Sequence, residues 1–201
     1  GHMGTAHAQN SVTATADEAL LEMKEAFRKS DRKRLAALLP QTSGHLLEPW
    51  AAYWELKARL VDASNQEVRA FLGKYDGTYQ EDRLRNDWLL LLGQVRDWST
   101  FRAEYPGFRM NDDREVRCYA LLDDFTTGGA DVAPQVERLW LAQRDADDGC
   151  AFAAEQLIKA RKMKVDVAWM RARAGMESGR QSVVTQAVGI INPDWTNKIK
   201  T

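Results

Sequence analysis

Apolar side chains recur along this chain at every third or fourth position, the spacing that places them on one face of an α-helix. In the first such stretch, Leu20, Met23 and Phe27 share a face. The alternation of apolar and polar residues that is typical of β-strands is nearly absent. We therefore predict an all-α chain. The predicted helices cover about residues 16–29, 32–39, 49–61, 66–75, 79–95, 100–105, 114–125, 134–144, 150–160, 165–176 and 180–190.

Residues that favour helix ends support these boundaries. Side-chain oxygens that can accept a hydrogen bond from the first turn precede several of the predicted helices. We predict N-caps at Thr15, Asp31, Ser64 or Asn65, Ser99, and Asp112 or Asp113. Pro49 and Pro134 suit the first turn of a helix, and Gly128-Gly129 is expected to end one. Residues 192–195 are predicted to form a loop.

The connections between consecutive predicted helices are short, so successive helices are expected to run antiparallel. A series of short helical hairpins favours an α-solenoid, or superhelix, and its repeats are irregular in length here. The apolar run from Trp88 to Leu92 covers every side of its helix, which is expected for a helix packed between neighbours. We predict one α-superhelical domain over residues 15–201, as part of a longer protein.

Residues 1–14 are interpreted as a tail outside this domain. Gly1-His2-Met3 has the sequence of a tag remnant, and the small and polar residues that follow predict disorder. Ala6-His7-Ala8 is similar to the small-residue end of a secretory signal, which would indicate an exported protein. A random alanine-rich tail is the alternative interpretation.

The charge balance excludes one class of partner. Lys and Arg number 28 against 29 Asp and Glu, a net charge of -1. Nucleic-acid-binding proteins usually carry an excess of basic residues, so we expect no nucleic-acid partner. No apolar run approaches the roughly 18 residues of a membrane span, so no span is expected. Basic clusters at residues 28–34 and 159–164 are interpreted as solvated helix faces, with contact to an anionic polymer as the alternative.

The sequence contains no recognisable catalytic, metal or cofactor motif. His45 is the one histidine within the predicted domain, and no Gly-x-Ser-x-Gly motif accompanies it. Cys118 and Cys150 belong to no Cys-x-x-Cys pair, and no histidine lies near them in sequence, which argues against a metal site. Phosphate-binding glycine loops are also missing. We therefore predict no catalytic residue, no metal and no cofactor in this chain.

Three pairs of neighbouring carboxylates, Asp112-Asp113, Asp123-Asp124 and Asp147-Asp148, could in principle perform acid–base work on a glycosidic bond. All three pairs lie near the ends of predicted helices. Because carboxylates there cap the helix and interact favourably with its dipole, we interpret them as capping and solvated groups.

Seven tryptophans are present, and Trp50 and Trp54 lie one helical turn apart. Aromatic rings stack on sugar rings, so these two residues are candidates for glycan contact. Core packing is the favoured interpretation of the tryptophans as a set, because helices in a solenoid need large residues between their layers.

Three parts of the sequence carry a family resemblance: Ala26-Phe27, Leu35–Pro40 and Glu48–Trp54; then Val68–Tyr75 and Arg83–Trp98; then Cys118-Tyr119-Ala120 with Cys150 downstream. In these parts, which extend over most of residues 16–190, the chain resembles the N-terminal U-shaped superhelical domain of soluble lytic murein transglycosylases. The resemblance implies a periplasmic protein, secreted through a signal peptide that is absent from this sequence. It also implies a ring built with a linker domain and a lysozyme-like catalytic domain of the same polypeptide.

The resemblance further implies the substrate. These enzymes cleave the bond between N-acetylmuramic acid and N-acetylglucosamine, so peptidoglycan glycan strands are the expected partner. Their catalytic Glu lies in a Glu-Ser motif that is followed by Gly-Leu-Met-Gln. Here Glu177-Ser178 is followed by residues 179–182 of the sequence Gly-Arg-Gln-Ser, so the catalytic domain is missing. We expect a non-catalytic scaffold that guides glycan strands. The alternative is a stand-alone helical-repeat adaptor that binds a protein partner.

The residues alone do not decide the state of Cys118 and Cys150. They fit either a disulfide in an exported protein or two buried free thiols. The resembled family joins two cysteines at similar places, which implies a Cys118–Cys150 disulfide. The two predicted helices that hold them are separated by one helix. In a solenoid such helices are stacked neighbours, close enough for a bond.

We predict that this chain alone has no lytic activity, because it lacks the acid/base Glu in a suitable cleft. The turbidity of purified peptidoglycan should therefore stay constant in its presence. A loss of turbidity that the substitution Glu177→Gln abolishes would contradict this prediction.

Overall fold

The computed structural model describes the backbone of residues 3–195 and the side chains of residues 15–195. The tag remnant at Gly1-His2 and residues 196–201 lie outside this range. Eleven α-helices with defined bounds occur within it: α1 (Met3–Arg28), α2 (Arg32–Leu38), α3 (Glu48–Ala58), α4 (Asn65–Lys74), α5 (Tyr79–Gln94), α6 (Trp98–Glu104), α7 (Arg114–Gly128), α8 (Ala133–Ala142), α9 (Gly149–Lys159), α10 (Asp166–Glu177) and α11 (Gln181–Ile191). Residues 3–195 contain no strand. The predicted all-α fold is confirmed.

Local hydrogen bonds explain why several helices begin where the sequence predicts. Ser64 and Glu67 form a capping box at the start of α4. The Ser64 hydroxyl accepts from the Glu67 N–H at 3.1 Å, and the Glu67 carboxylate accepts from the Ser64 N–H at 2.9 Å. Asp31 caps α2 and Asp113 caps α7, each by accepting a backbone N–H three residues further on. Gly129, with φ of 69°, ends α7 in the left-handed region.

The start of α6 differs from its predicted position. Asp97 is the N-cap, and its carboxylate accepts from the Thr100 N–H at 3.2 Å, so the cap predicted at Ser99 is wrong. The reason is the tight reversal after α5. Arg96 adopts φ of 63°, and the Asp97 N–H bonds the carbonyl of Leu92. This reversal places Asp97, two residues before Ser99, at the first free N–H groups of α6.

The two ends of the described range also differ from their predicted structure. The first helix begins at Met3, so residues 3–14 continue α1, where a disordered tail and a cap at Thr15 are predicted. No proline interrupts this segment, and its alanines favour a helix. Residues 193–195, predicted as a loop, are helical. Pro193 opens this turn, where its fixed φ is already suited to a helix.

The contacts divide the chain into two compact units, one up to Trp88 and one from Leu89, where a single domain is predicted. In the first unit, α1, α2 and α3 pack on one another around an apolar core. This core is made of Ala19, Leu20, Met23, Ala26, Leu35, Leu38 and Ala51. Met23 and Leu35 are fully buried, as expected from the helical spacing of their apolar neighbours.

In the second unit, two successive helices, α7 and α8, each contact both the next helix and the one after it. Helix α7 packs on α8 and α9, and α8 packs on α9 and α10. This is the packing expected of stacked helical hairpins. Trp140 is fully buried at its centre, with Val136 and Leu157. The core interpretation is thus confirmed for Trp140, and also for Trp88, which is 2% exposed.

A disulfide joins Cys118 of α7 to Cys150 in the first turn of α9, with the Cα atoms 4.9 Å apart. Both residues are fully buried in the core of the second unit. The predicted pairing is therefore present. It connects two helices that are separated along the chain by the whole of α8.

We predict that the purified protein contains no alkylatable thiol under denaturing, non-reducing conditions, which mass spectrometry can measure. Reduction should lower the free energy of unfolding by about 3 to 4 kcal/mol, because the bond closes a long loop in the unfolded chain. The variant Cys118→Ala/Cys150→Ala should show the same loss and no further response to reductant. Two alkylated thiols in the untreated protein would contradict the prediction.

Candidate functional site

An open groove of about 1100 Å³ lies on the first unit, between α1 and the segment that leads into α3. We call it the aromatic groove. Its apolar lining residues are Leu20, Leu21, Phe27, Leu47, Trp50 and Trp54, and its polar lining residues are Asp17, Lys24, Glu25, Arg28 and His45. The combination of an apolar floor with a few polar groups is typical of ligand-binding sites.

Trp50 and Trp54 are the aromatic centre of this groove. They are four residues apart on α3, which places both on one face, and their ring centroids are 6.1 Å apart. Phe27 of α1 stacks on Trp54 at 6.4 Å, and Tyr79 of α5 meets Trp50 at 5.8 Å. The structure thus brings together the two tryptophans named from the sequence and adds two aromatic rings from other helices.

The two tryptophans are held differently. Trp54 packs against the apolar core of α1, α2 and α3 in addition to lining the groove. Trp50 contacts Tyr53 edge-on at 6.0 Å and lies among aromatic rings rather than in that core. Both are half-buried, so each presents part of its ring to the groove. Core packing and surface display are therefore combined in Trp54, whereas Trp50 is the more dispensable of the two for the fold.

His45 is engaged on both sides of its ring. Its Nδ1 accepts from the Leu47 N–H at 2.9 Å, so a neutral ring carries its proton on Nε2 and donates it to the Asp17 carboxylate at 2.5 Å. Neither nitrogen is left to take a proton from a substrate. His45 thus ties the segment before α3 to α1 and shapes the groove.

The remaining polar groups of the groove are charged and face solvent. Glu25 forms a two-point ion pair with Arg28, at 3.0 Å and 2.5 Å, and these hydrogen bonds lower the pKa of Glu25 to about 2. Lys24 supplies a second cation on the same helix. The rim therefore offers both donors and acceptors to a polar ligand at neutral pH.

A second cluster of ionisable groups, which we call the Asp148 network, lies in the second unit and consists of Arg96, Glu115, Tyr119 and Asp148. The Asp148 carboxylate accepts from Arg96 at 2.5 Å and 3.1 Å and from the Tyr119 hydroxyl at 2.5 Å. One Glu115 oxygen accepts from the backbone N–H groups of Asp148 at 3.0 Å and Gly149 at 2.8 Å. A side chain of α7 thereby satisfies the first N–H groups of α9.

Close packing accompanies these hydrogen bonds. A Cβ atom on Gly149 would lie 2.6 Å from Cγ of Glu115, and one on Gly93 would lie 2.4 Å from the Tyr119 ring. Either contact is far shorter than van der Waals distance, so only glycine fits at these two places. Helix α7 is thus held against both α5 and α9 by contacts that tolerate no side chain.

The pKa values in this region are perturbed. Burial raises the pKa of Glu115 and of Asp147 above the ordinary carboxyl values. Burial also disfavours the Asp148 carboxylate, but the hydrogen bonds from Arg96 and Tyr119 outweigh it and lower the Asp148 pKa. Raised carboxyl pKa values are typical of acid–base catalysts. Here both raised groups instead accept backbone N–H groups at the start of α9, which is a structural role.

The carboxylate pairs predicted as caps have three different outcomes. Asp113 caps α7, as predicted, and Asp147 accepts from the Cys150 N–H at 3.0 Å at the start of α9. Asp148 is ion-paired with Arg96. Asp123 is buried in the middle of α7 and accepts from Arg102 at 2.8 Å and 2.9 Å, so its interpretation as a capping group is wrong. Its partner lies in another helix, which the local pattern cannot reveal.

Among the described side chains, residues 15–195, no group of three or more metal-ligating side chains comes together, and no helix within residues 3–195 is long and apolar enough to cross a membrane. In comparisons with known proteins, no family model, no curated protein and no solved structure matches this chain. The candidate site therefore rests on its own geometry.

We predict that Glu115→Ala lowers the free energy of unfolding by about 1 to 3 kcal/mol, because it leaves N–H groups of α9 without a partner. Glu115→Gln should cost much less, since its amide oxygen can accept the same hydrogen bonds without a buried charge. Chemical denaturation of both variants at pH 7 checks the difference. Equal losses would contradict the assigned role.

The raised pKa of Glu115 also predicts a pH dependence. The contribution of a group with a raised folded-state pKa is fully present below its unfolded pKa, about 4.3, and is lost as the pH rises through the folded-state pKa. As the pH rises from the unfolded-state pKa through the folded-state pKa, the free energy of unfolding of the wild type should therefore fall relative to that of Glu115→Gln. Denaturation series at several pH values measure this difference, and a difference that is constant with pH would contradict the prediction.

Proposed function

We propose that this chain is a non-catalytic helical scaffold domain of a peptidoglycan lytic transglycosylase, and that it binds glycan strands in the aromatic groove. The observation that carries the proposal is the pair Trp50 and Trp54, whose ring centroids are 6.1 Å apart and which are partly exposed in an open groove. A pyranose ring has an apolar face of C–H groups that stacks on an aromatic ring. Two rings on successive turns of one helix offer platforms for two positions of a strand.

The polar groups of the groove supply the other half of sugar recognition. Sugar hydroxyl and acetamido groups need hydrogen-bond donors and acceptors beside the apolar platform. Lys24 provides donors, and the Asp17 carboxylate provides acceptors, on the α1 side of the groove. An open groove, rather than a closed cavity, suits a polymer that must pass along the surface.

The disulfide supports the location that we propose. Disulfides persist in oxidising compartments and are rare in the reducing cytosol. The Cys118–Cys150 bond therefore favours a site outside the cytoplasm, and the periplasm is the specific compartment that we propose. Catalysis in this proposal belongs to a separate catalytic domain of the same polypeptide, which contacts this chain through a linker domain.

Sedimentation with purified peptidoglycan sacculi, combined with tryptophan fluorescence during titration with soluble glycan oligomers, tests the proposal. We expect saturable binding, and we expect Trp50→Ala to weaken it roughly tenfold, the loss of about 1.4 kcal/mol of stacking. Trp169→Ala is the matched control, because Trp169 is 41% exposed on the second unit and does not line the groove. Absence of binding, or equal loss in both variants, would overturn the proposal.

A protein-binding adaptor is the second candidate. Leu21 and Leu47 line the groove and are 72% and 47% exposed, and the neighbouring Leu46 is 90% exposed. Exposed leucines in one region favour an apolar partner surface over a sugar. The substitution Leu21→Ser should leave glycan binding unchanged if sugars stack on the tryptophans. If the chain binds no glycan at all, the adaptor function becomes the better explanation of the groove.

A further inference from the structure

Arg171 of α10 is a buried cation without a carboxylate partner. Arg171 is 2% exposed. No carboxylate oxygen of residues 15–195 lies within 4 Å of its guanidinium nitrogens, the distance expected for an ion pair. Its Nη1 and Nη2 donate to the carbonyl oxygens of Gln143 and Asp145, and its Nε has no hydrogen-bond partner. A guanidinium has five N–H donors, so these two bonds leave three unused. Buried charges are normally paired, because desolvation costs several kcal/mol.

The nearest negative charge does not remove this deficit. Asp147 attracts Arg171 at longer range, but its carboxylate accepts from the Cys150 N–H and from the Gln143 amide. Burial raises the pKa of Asp147 and lowers the pKa of Arg171, as expected when neither charge is fully compensated. Arg171 Nε and one oxygen of Asp147, Oδ1, are both buried without a hydrogen-bond partner, so the two groups do not satisfy each other.

Arg171 lines a pocket of about 310 Å³ beside α8, α10 and the start of α11, which we call the Arg171 pocket. Arg144 and Arg180 also line it, and no Asp or Glu does. Arg180 approaches the Asp145 carboxylate at 3.4 Å. Because that carboxylate is 80% exposed, water competes with Arg180 for it and the ion pair is weak. Three arginines and no acidic residue therefore line the pocket.

The start of α11 adds to this positive potential. The residue at its N-cap is Arg180, which makes no side-chain capping bond, and Val183 of the first turn lines the pocket. The first N–H groups of a helix and its dipole favour a negative charge. An eleven-residue helix thus begins beside the pocket that the three arginines line.

We propose that the Arg171 pocket binds an oxyanion, the carboxylate or phosphate group of a small ligand or of a polymer substituent. Arginine guanidinium groups match the planar fork of a carboxylate and the oxygens of a phosphate. The bound oxyanion supplies the acceptors that Arg171 lacks and neutralises its charge. The proposal is independent of glycan binding, because the pocket belongs to the second unit and contains no residue of the aromatic groove.

NMR titration of the arginine Nε–H resonances tests the proposal on the intact chain. The probes are inorganic phosphate and N-acetyl-D-alanine, with the uncharged N-acetyl-D-alaninamide as a control, all at constant ionic strength with chloride. We expect the Arg171 Nε–H to shift and to saturate with at least one of the two anions. The amide should cause no shift, because it lacks the charge that the guanidinium groups recognise.

Variants locate the binding. Arg144→Gln and Arg180→Gln each remove a cation that lines the pocket without removing a side chain from the apolar core. Each should weaken anion binding about tenfold. Arg173→Gln is the matched control, since it removes the same charge from an exposed position of α10 outside the pocket lining. Arg171→Gln should abolish the response if the variant folds, and the two surface variants test the proposal if it does not.

Each outcome has a meaning. A response to phosphate alone or to the carboxylate alone supports the site and identifies the group that it prefers. A response to both supports a site that recognises negative charge without distinguishing the two groups. Shifts that do not saturate, an equal response to the amide, or an equal loss in Arg173→Gln would overturn the proposal. Because Trp50→Ala should not affect this titration, failure of glycan binding and failure of the anion site can be told apart.

Discussion

The contact between α7 and α9 is the interaction on which the second unit depends most. Helix α9 begins inside the protein, where its first N–H groups have no water to bind, and Glu115 of α7 accepts two of them. The disulfide lies one helical turn from this carboxylate and fixes the same pair of helices covalently. Gly149 allows the two backbones to approach, because any side chain there would collide with Glu115. Three different residue types therefore serve one junction.

This junction also explains why strongly perturbed carboxylates do not form a catalytic site here. Burial raises the pKa of a carboxyl group both when the group caps a helix and when it exchanges a proton with a substrate. What distinguishes the two roles is the set of hydrogen-bond partners. Glu115 and Asp147 are occupied by backbone N–H groups, and Asp148 is occupied by Arg96 and Tyr119. These carboxylates stabilise the fold.

The aromatic groove shows how a core-packing residue can also form a surface. Trp54 covers the core of α1, α2 and α3 with one side of its ring and lines the groove with the other. The aromatic rings beside the two tryptophans come from elements far apart in the chain, with Phe27 of α1 against Trp54 and Tyr79 of α5 against Trp50. The rigidity of such a platform comes from the core beneath it, and a preorganised surface loses little entropy when a ligand binds.

Local pattern alone determined much of this molecule. Helical periodicity and capping residues such as Asp31 and Ser64 predicted the all-α fold and most helix bounds, because both signals act within about one turn of the chain. The tertiary structure decided what depends on distant residues. It placed Arg102 against Asp123, packed Phe27 and Tyr79 against the two tryptophans of the groove, and left Arg171 buried without a carboxylate partner. Side chains that meet across helices leave no periodic trace in the sequence, so only the packing of those helices brings them together.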